Sequence, residues 1–175
     1  NMLSLTGAGA FVVSSLVADL NGSAATGTIN VTAGAGSQWI RGGSAADTIT
    51  GGAGTDELIG NGGADVFLIA ANSDHGSLET ITGGDGIDQI RFTSTSADTL
   101  VLSQYVSVDE VWISSSSGAI TGTTAENIDA SSAVGDIALY GNDGANILTG
   151  NGSNNLIVAA AGNDTATGGL GNDTI

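Results

Sequence analysis

Three aspartates lie nine residues apart in the first half of the chain, and each ends a glycine-rich turn. They are Asp47, Asp56 and Asp65, and Gln38 holds the same place one interval earlier. Glycine lets the backbone bend tightly, so that carbonyl oxygens turn towards a common point where the aspartate adds a charged oxygen. Carbonyl and carboxylate oxygens, without His or Cys, suit a hard cation such as calcium. The spacing therefore predicts several bound calcium ions.

Short strands must separate these turns and position them. Blocks of nine residues start at Ala33, Gly42, Gly51 and Gly60, and they run AGAGSQWIR, GGSAADTIT, GGAGTDELI and GNGGADVFL. The eighth place of each block holds one large apolar residue: Ile40, Ile49, Leu58 or Phe67. In a strand this side chain faces away from its two neighbours. One turn and one strand cannot bury a core, so we expect successive coils to stack.

Two of the blocks carry a family resemblance. GGAGTDELI (51–59) and GGDGIDQIR (83–91) fit the Gly-Gly-x-Gly-x-Asp-x-apolar-x nonapeptide at every defined place. The sequence therefore resembles the RTX (repeats-in-toxin) family, and its general look is similar to RTX-bearing bacterial surface-layer or adhesin proteins. The resemblance implies an all-β fold, a parallel β-roll or β-solenoid with two nonapeptides per coil. It also implies bound calcium and export through a type I secretion channel.

Two nonapeptides per coil place alternate repeats on the same side, with a cation between their turns. The strongest expected site joins Asp47 and Asp65 with carbonyls from 42–46 and 60–64. Further expected pairs are Gln38 with Asp56, Asp56 with Asp74, Asn146 with Asp164, and Asn155 with Asp173. The full set of predicted metal ligands is Gly42, Ser44, Asp47, Gly51, Ala53, Asp56, Gly60, Gly62, Asp65, Asp74, Asp85, Asp88, Asn146, Asn155, Asp164 and Asp173.

An alternative stands beside the metal at these places, because Asp and Asn in turns also hydrogen-bond nearby amides. It is weak for Asp47, Asp56 and Asp65, and it stays open for Asn146 and Asn155, whose amides carry no charge. Gln38 is longer and is expected to mark an edge without a full site.

The repeats fall into two clusters separated by less regular sequence. We divide the chain into a β spacer (1–32), a first roll (33–92) with an inserted loop near 72–77, a second β spacer (93–134) and a second roll (135–175). A shift of 108 places lays Gly27 on Gly135 and Phe67 on Ile175. Because this shift equals twelve nonapeptides, the spacers are candidates for further coils of one solenoid. The end in the eighth place of a repeat indicates a segment of a larger protein.

The spacers are expected to form strands, since β-branched residues, Gly and Thr dominate them. In the second spacer the candidates are 99–102, 105–113 and 119–121. A helical alternative exists for the first spacer, where a stripe fits Val12, Val13, Leu16, Val17 and Leu20.

Charge excludes several kinds of partner. Lys and Arg number 2 against 18 Asp and Glu, a net charge of −16, so nucleic acid and anionic lipid are not expected ligands. No apolar run reaches the roughly 18 residues that span a bilayer. With Cys 0 no disulfide can stabilise the fold, and we expect folding to depend on calcium in a secreted, extracellular or cell-surface protein of a Gram-negative type bacterium.

Catalytic residues are not predicted, and we expect a non-enzyme. His75 is the single histidine and lies beside Asp74 without a nucleophile. Asp109 and Glu110 are expected to point to opposite faces of a strand. This arrangement suits contact with solvent better than acid–base catalysis by a pair of carboxylates. Neither HExxH nor GxSxG occurs in the sequence.

Two functions compete. Outward seventh places hold Trp39, Val66, Ile147 and Leu156, which either the spacers or a neighbouring molecule must cover. The favoured function is a structural module of a surface layer, filament or large adhesin, with copies of itself as partners and a cell-surface glycan as a further candidate. The alternative is the calcium-binding tail of a type I secreted hydrolase or toxin. An ice-binding surface is disfavoured, because it needs a flat row of Thr and Asn side chains, and outward Trp, Glu, Val and Arg interrupt that row.

Overall fold

A computed structural model describes residues 1–71, 74, 79–102 and 105–175. These residues form eighteen short strands, β1 to β18. The strands are β1 (Met2–Gly7), β2 (Phe11–Leu16), β3 (Asp19–Ala25), β4 (Ile29–Ala33), β5 (Trp39–Arg41), β6 (Thr48–Thr50), β7 (Glu57–Gly62), β8 (Val66–Ile69), β9 (Thr80–Asp85), β10 (Gln89–Phe92), β11 (Thr99–Val101), β12 (Tyr105–Val106), β13 (Glu110–Ile113), β14 (Asn127–Asp129), β15 (Ile137–Tyr140), β16 (Ile147–Thr149), β17 (Asn155–Val158) and β18 (Thr165–Thr167).

All strand pairs of the described residues are parallel, and they build three sheets. The longest is eight-stranded, in the order β17-β15-β13-β10-β8-β6-β4-β2. A six-stranded sheet runs β1-β3-β5-β7-β9-β12, and a four-stranded sheet runs β11-β14-β16-β18. The chain winds back and forth between the long sheet and one of the others, which is a solenoid. The predicted all-β parallel roll is confirmed, and its longest sheet continues through both spacers.

Coil length is set by the repeat. Thr48 pairs with Val66 and Trp39 pairs with Glu57, so two nonapeptides make one coil. The coil lengthens where Leu58 pairs with Ile81. The loop predicted near 72–77 lies almost entirely outside the described residues, as does His75.

One core runs along the solenoid between the sheets. The eighth-place side chains Ile40, Ile49, Leu58 and Phe67 are all buried within it. Their seventh- and ninth-place neighbours point outward, which gives the strands an alternating pattern of burial. Because successive coils bury the same place, each inward side chain packs on the equivalent side chain of the next coil.

Two expectations about the spacers need correction. The helical alternative for the first spacer is wrong, since residues 11–16 and 19–25 form β2 and β3. The strand predicted at 119–121 is also wrong. That segment follows a tight turn in which Gly118 has a positive φ of 86°, and the strand of this coil is β14, whose Ile128 pairs with Leu148.

The candidate strand 105–113 is in fact two strands in different sheets. β12 pairs with β9 and β13 pairs with β10, and Ser107 between them has a φ of 54°. Over the described part of the chain, no helix has the length and apolar character needed to cross a membrane.

Candidate metal centre

Glycine at the first place of most repeats lets turn and carboxylate approach each other. A Cβ at Gly60 would collide with Asp65 Oδ2 and would lie 2.6 Å from the Gly83 carbonyl oxygen. Gly63 has a φ of 112°, and a Cβ there would lie 2.5 Å from the Ala45 carbonyl carbon of the neighbouring coil. Any other residue at these places would push the coils apart.

The residue at or directly before the start of a strand stacks on its equivalent in the next coil. Asp47 N donates to Asp65 Oδ1 at 2.8 Å, and Asp65 N donates to Asp88 Oδ1 at 2.9 Å. Residues that stack in this way line up along the solenoid in three sets. We call the polar residues of these sets columns 1, 2 and 3. Column 1 holds Asp47, Asp65, Asp88, Asp109, Asn155 and Asp173, with Ile137 interrupting it after Asp109; column 2 holds Gln38, Asp56 and Glu79; column 3 holds Asp98, Glu126, Asn146 and Asp164.

The columns contain the predicted pairs. Gln38 N donates to Asp56 Oδ1 at 2.8 Å, and the Asp47–Asp65 pair is bonded as described above. In the second roll Asn146 N donates to Asp164 Oδ1 and Asn155 N to Asp173 Oδ1, each at 2.9 Å. The structure therefore brings four of the five predicted pairs into register.

The fifth pair is arranged differently. Thr80 pairs with Glu57, so Glu79 rather than Asp74 stacks on Asp56. Asp74 remains near enough for its charge to raise the pKa of Asp56, after the larger effect of burial. Asp85 is exposed at the end of β9, three residues before Asp88, and its backbone oxygen accepts from Gly63 N at 2.9 Å.

The columns leave buried oxygens without hydrogen bonds. Among the described residues, seven buried side-chain nitrogen or oxygen atoms have no partner. Six are oxygens of the columns: Gln38 Oε1, Asp56 Oδ2, Asp65 Oδ2, Glu79 Oε2, Asp88 Oδ2 and Glu126 Oε1. A buried oxygen without a donor costs about 1–3 kcal/mol. Oxygens of this kind, repeated coil after coil, match the donors of a hard cation.

Electrostatics indicate the same need for positive charge. Burial, with smaller contributions from the charges of Asp47 and Asp88, raises the pKa of Asp65 to about 7. Burial raises the pKa of Glu126 to about 7 and that of Glu79 to about 8, again with help from neighbouring carboxylates. Stacked carboxylates in a dry environment resist ionisation, and a divalent cation between them reverses this effect.

Backbone oxygens must complete the coordination. Within the described residues, no group of three or more His, Cys, Asp or Glu side chains is placed to hold a metal. Each column supplies at most one carboxylate per coil, so the predicted carbonyl donors are required. Some of these groups already have partners, since Gly42 O accepts from Asn61 Nδ2 at 2.6 Å and Ala53 O accepts from Gly36 N at 2.7 Å.

The other predicted turn residues lie around these carboxylates. Gly43 N donates to Asp47 Oδ2 at 2.6 Å, so Asp47 has both oxygens bonded. Gly51 lies against Asp56, where a Cβ would be 2.6 Å from Oδ2. Ser44 and Gly62 line an open groove on the outer side of the turns together with Asp85.

In the second roll, side-chain amides form hydrogen bonds across the same turn. Asn146 Nδ2 donates to Glu126 O at 2.8 Å and to Asn142 Oδ1 at 3.1 Å. Asn155 Nδ2 donates to Asn151 Oδ1 at 3.0 Å and to Ser153 O at 2.8 Å. Each amide group thus donates hydrogen bonds that an aspartate cannot donate. This geometry agrees with the hydrogen-bonding alternative that the sequence left open for Asn146 and Asn155.

Sequence reasoning missed Glu79 and Glu126, which are both 2% exposed. Their coils are longer than two nonapeptides, so counting in nines does not reach them. A signal was present nonetheless: Glu79-Thr80-Ile81 and 126–128 repeat the order acid, polar, isoleucine of 47–49. Asp109, expected to face solvent, is exposed, yet it accepts from Asp88 N at 2.8 Å.

Comparison with known proteins identifies the repeats. The family model of the RTX calcium-binding nonapeptide repeat matches residues 32–67 and 140–175, in four copies. Curated proteins and solved structures give no match to this chain. The RTX resemblance is therefore confirmed: both stretches are calcium-binding nonapeptide repeats, a type that occurs in secreted proteins of Gram-negative bacteria.

Proposed function

We propose that this chain, an RTX-repeat protein by its two matched stretches, is a structural module of a secreted bacterial cell-surface protein that folds and assembles on calcium. The observation that carries the calcium dependence is the set of six unpartnered oxygens in the columns. A surface layer, a filament or a large adhesin is the class of protein that such a module suits.

Calcium supplies what the bare chain lacks. The net charge is −16, so the metal-free fold repels itself while it buries carboxylates beside one another. Each ion that binds the folded chain adds RT ln(1 + [Ca]/Kd) to its stability. Calcium sites of extracellular modules commonly have Kd values of about 10⁻⁴–10⁻³ M, so this chain folds where calcium is abundant, outside the cell.

Repetition supports the structural role. One eight-stranded sheet passes through both rolls and both spacers, and residues 27–67 correspond to 135–175 at a shift of 108 places. An architecture in which each coil contacts mainly its neighbours extends by adding coils. A long, stiff surface protein uses that property.

Outward apolar side chains support assembly with further copies. Trp39 is half-buried, with its indole donating to Glu57 at 3.2 Å. Ile147 and Leu156 on β16 and β17 are 53% and 39% exposed. Ile147 and Leu156 are therefore left uncovered by the described spacer residues, whose strands pair within the sheets. These residues lie in three different sheets, and exposed apolar side chains of this kind fit contacts with neighbouring molecules.

Circular dichroism with and without chelator tests the calcium dependence. We expect the β signal to rise cooperatively at millimolar calcium and to fall in part on chelation, with magnesium at the same concentration as the control. Spectra that chelation leaves unchanged would refute metal-driven folding.

Electron microscopy of calcium-loaded protein tests the assembly. Sheets or filaments that disperse on chelation are the expected result. Dispersed monomers that still fold on calcium would contradict the surface-assembly role and favour the tail of a type I secreted hydrolase or toxin.

A further inference from the structure

Column 2 continues past the matched repeats. Its three members Gln38, Asp56 and Glu79 belong to successive coils, and each keeps one buried oxygen without a hydrogen bond. Glu79 lies outside both stretches that match the nonapeptide model. It is nevertheless 2% exposed, as buried as the repeat aspartate Asp56.

Asp56 and Glu79 hold equivalent places in neighbouring coils, and the charge of Asp56 acts on Glu79. Thr80 N donates to Asp56 O at 3.0 Å, which fixes the starts of β7 and β9 side by side. The unpartnered atoms are Asp56 Oδ2 and Glu79 Oε2. Two carboxylates that repel each other in a buried site, both short of a donor, need a positive charge between them.

The chain's arginines do not provide that charge. Arg41 lies over the Trp39 ring at 5.3 Å. Arg91 donates to Gln89 Oε1 at 2.9 Å and to Ser116 O at 2.9 Å. With no lysine in the sequence, the described residues offer no further side-chain cation, and a bound metal ion would supply the positive charge.

We infer that Asp56 and Glu79 together hold a calcium ion, so that the row of metal sites extends into a long coil that lacks the nonapeptide motif. This inference rests on the proposed function, because it assumes that column aspartates bind calcium. Oxygen donors alone, two of them carboxylates, select a hard divalent cation. The longer glutamate side chain replaces aspartate where the register between paired strands is longer, since Leu58 pairs with Ile81 while Ile40 pairs with Leu58.

A competing arrangement has Glu79 protonated and hydrogen-bonded to Asp56 with no ion. Glu79→Gln distinguishes the two, because glutamine imitates the protonated acid and cannot neutralise a cation. Glu57→Gln is the matched control: it removes the same charge from the neighbouring exposed residue.

The experiment counts calcium ions bound per chain by isothermal titration, with folding followed by circular dichroism. We expect Glu79→Gln to bind one ion fewer than the unaltered chain, and Glu57→Gln to bind the same number. Glu79→Asp, which keeps the carboxylate on a shorter side chain, should retain the count with one weakened site.

An unchanged ion count and affinity in Glu79→Gln would overturn the inference. If that variant does not fold, Glu79→Asp decides: one weakened site supports the inference, and unaltered affinity at every site overturns it. Failure of the proposed function gives a different result, since the unaltered chain would then bind no calcium.

Discussion

The two rolls have the same turn but fill it differently. Around Asp56 and Asp65 the first roll buries carboxylate oxygens that find no donor. Around Asn146 and Asn155 the second roll places amides that bond to nearby turn oxygens. One backbone geometry can therefore be closed either by a cation or by hydrogen bonds. The family pattern tells where a site lies, while the residue at the sixth place decides how strongly it needs an ion.

The largest expected effect comes from removing calcium. Hydrogen exchange of chelated protein should show fast exchange over 42–67, because uncompensated carboxylates destabilise these coils. Residues 141–158 should retain more protection, because their turns are closed by asparagine amides. Mass spectrometry of peptides from the two regions measures the difference. Equal loss of protection in both would contradict the distinction between the rolls.

The next effect comes from pH in the absence of calcium. Folding raises the pKa of Asp65 to about 7 and that of Glu79 to about 8, so the folded chain binds more protons than the unfolded chain. The stabilisation is fully present below pH about 4 and is lost as pH rises through about 7 to 8.

Urea denaturation of chelated protein at pH 5 and pH 8 measures this effect, with calcium-loaded protein as the control. We expect higher stability at pH 5 for the chelated chain, and weaker calcium binding at pH 5 because protons compete for the same oxygens. A chelated chain that is more stable at pH 8 would contradict the assignment.

A smaller effect should follow from Asn146→Asp. This change removes the donor to Glu126 O and Asn142 Oδ1 and buries a new negative charge. We expect the calcium-free protein to lose about 2–4 kcal/mol of unfolding free energy, with much of the loss restored by calcium. Thermal unfolding with and without calcium tests it, and Asp143→Asn at an exposed neighbouring position is the control. A loss that calcium does not reduce would show that the turn cannot accept an ion.

The smallest effect is expected from the reverse change, Asp65→Asn. Asn61 already holds the place that Asn142 holds in the second roll, so the new amide has a partner available. We expect the calcium-free chain to gain about 1–3 kcal/mol of unfolding free energy and to bind calcium more weakly. Calcium titration and urea denaturation measure the two changes, and Glu57→Gln, which removes one charge from an exposed position, is the control. A variant that binds calcium as tightly as before would exclude Asp65 as a ligand.

Much of this arrangement could be predicted from spacing alone. The nine-residue period placed Ile49 and Phe67 in the core and Asp47 beside Asp65, since coils of equal length keep equal places in register. The same counting could not place Glu79, because its coil holds extra residues. It could not place β14 either, since the Ile120 segment is as apolar as the strand that replaces it.

The asparagine turns show a second limit. Asn146 and Asp65 occupy equivalent places in their repeats. The sequence shows only that Asn146 lacks the charge of Asp65. The hydrogen bond from Asn146 to Asn142 Oδ1 depends on side-chain direction, which the period does not contain. Pairs of asparagine at the second and sixth places are the pattern to look for in other chains.

The register of 18 residues between stacked carboxylates also has a mechanical meaning. A solenoid pulled at its ends can yield coil by coil, since each coil is bonded mainly to its two neighbours. Each released coil of 18 residues would lengthen the molecule by about 60 Å of extended chain. Ions bound between coils would then raise the force needed to unfold each coil. Coils in which asparagine replaces aspartate would unfold at a lower force.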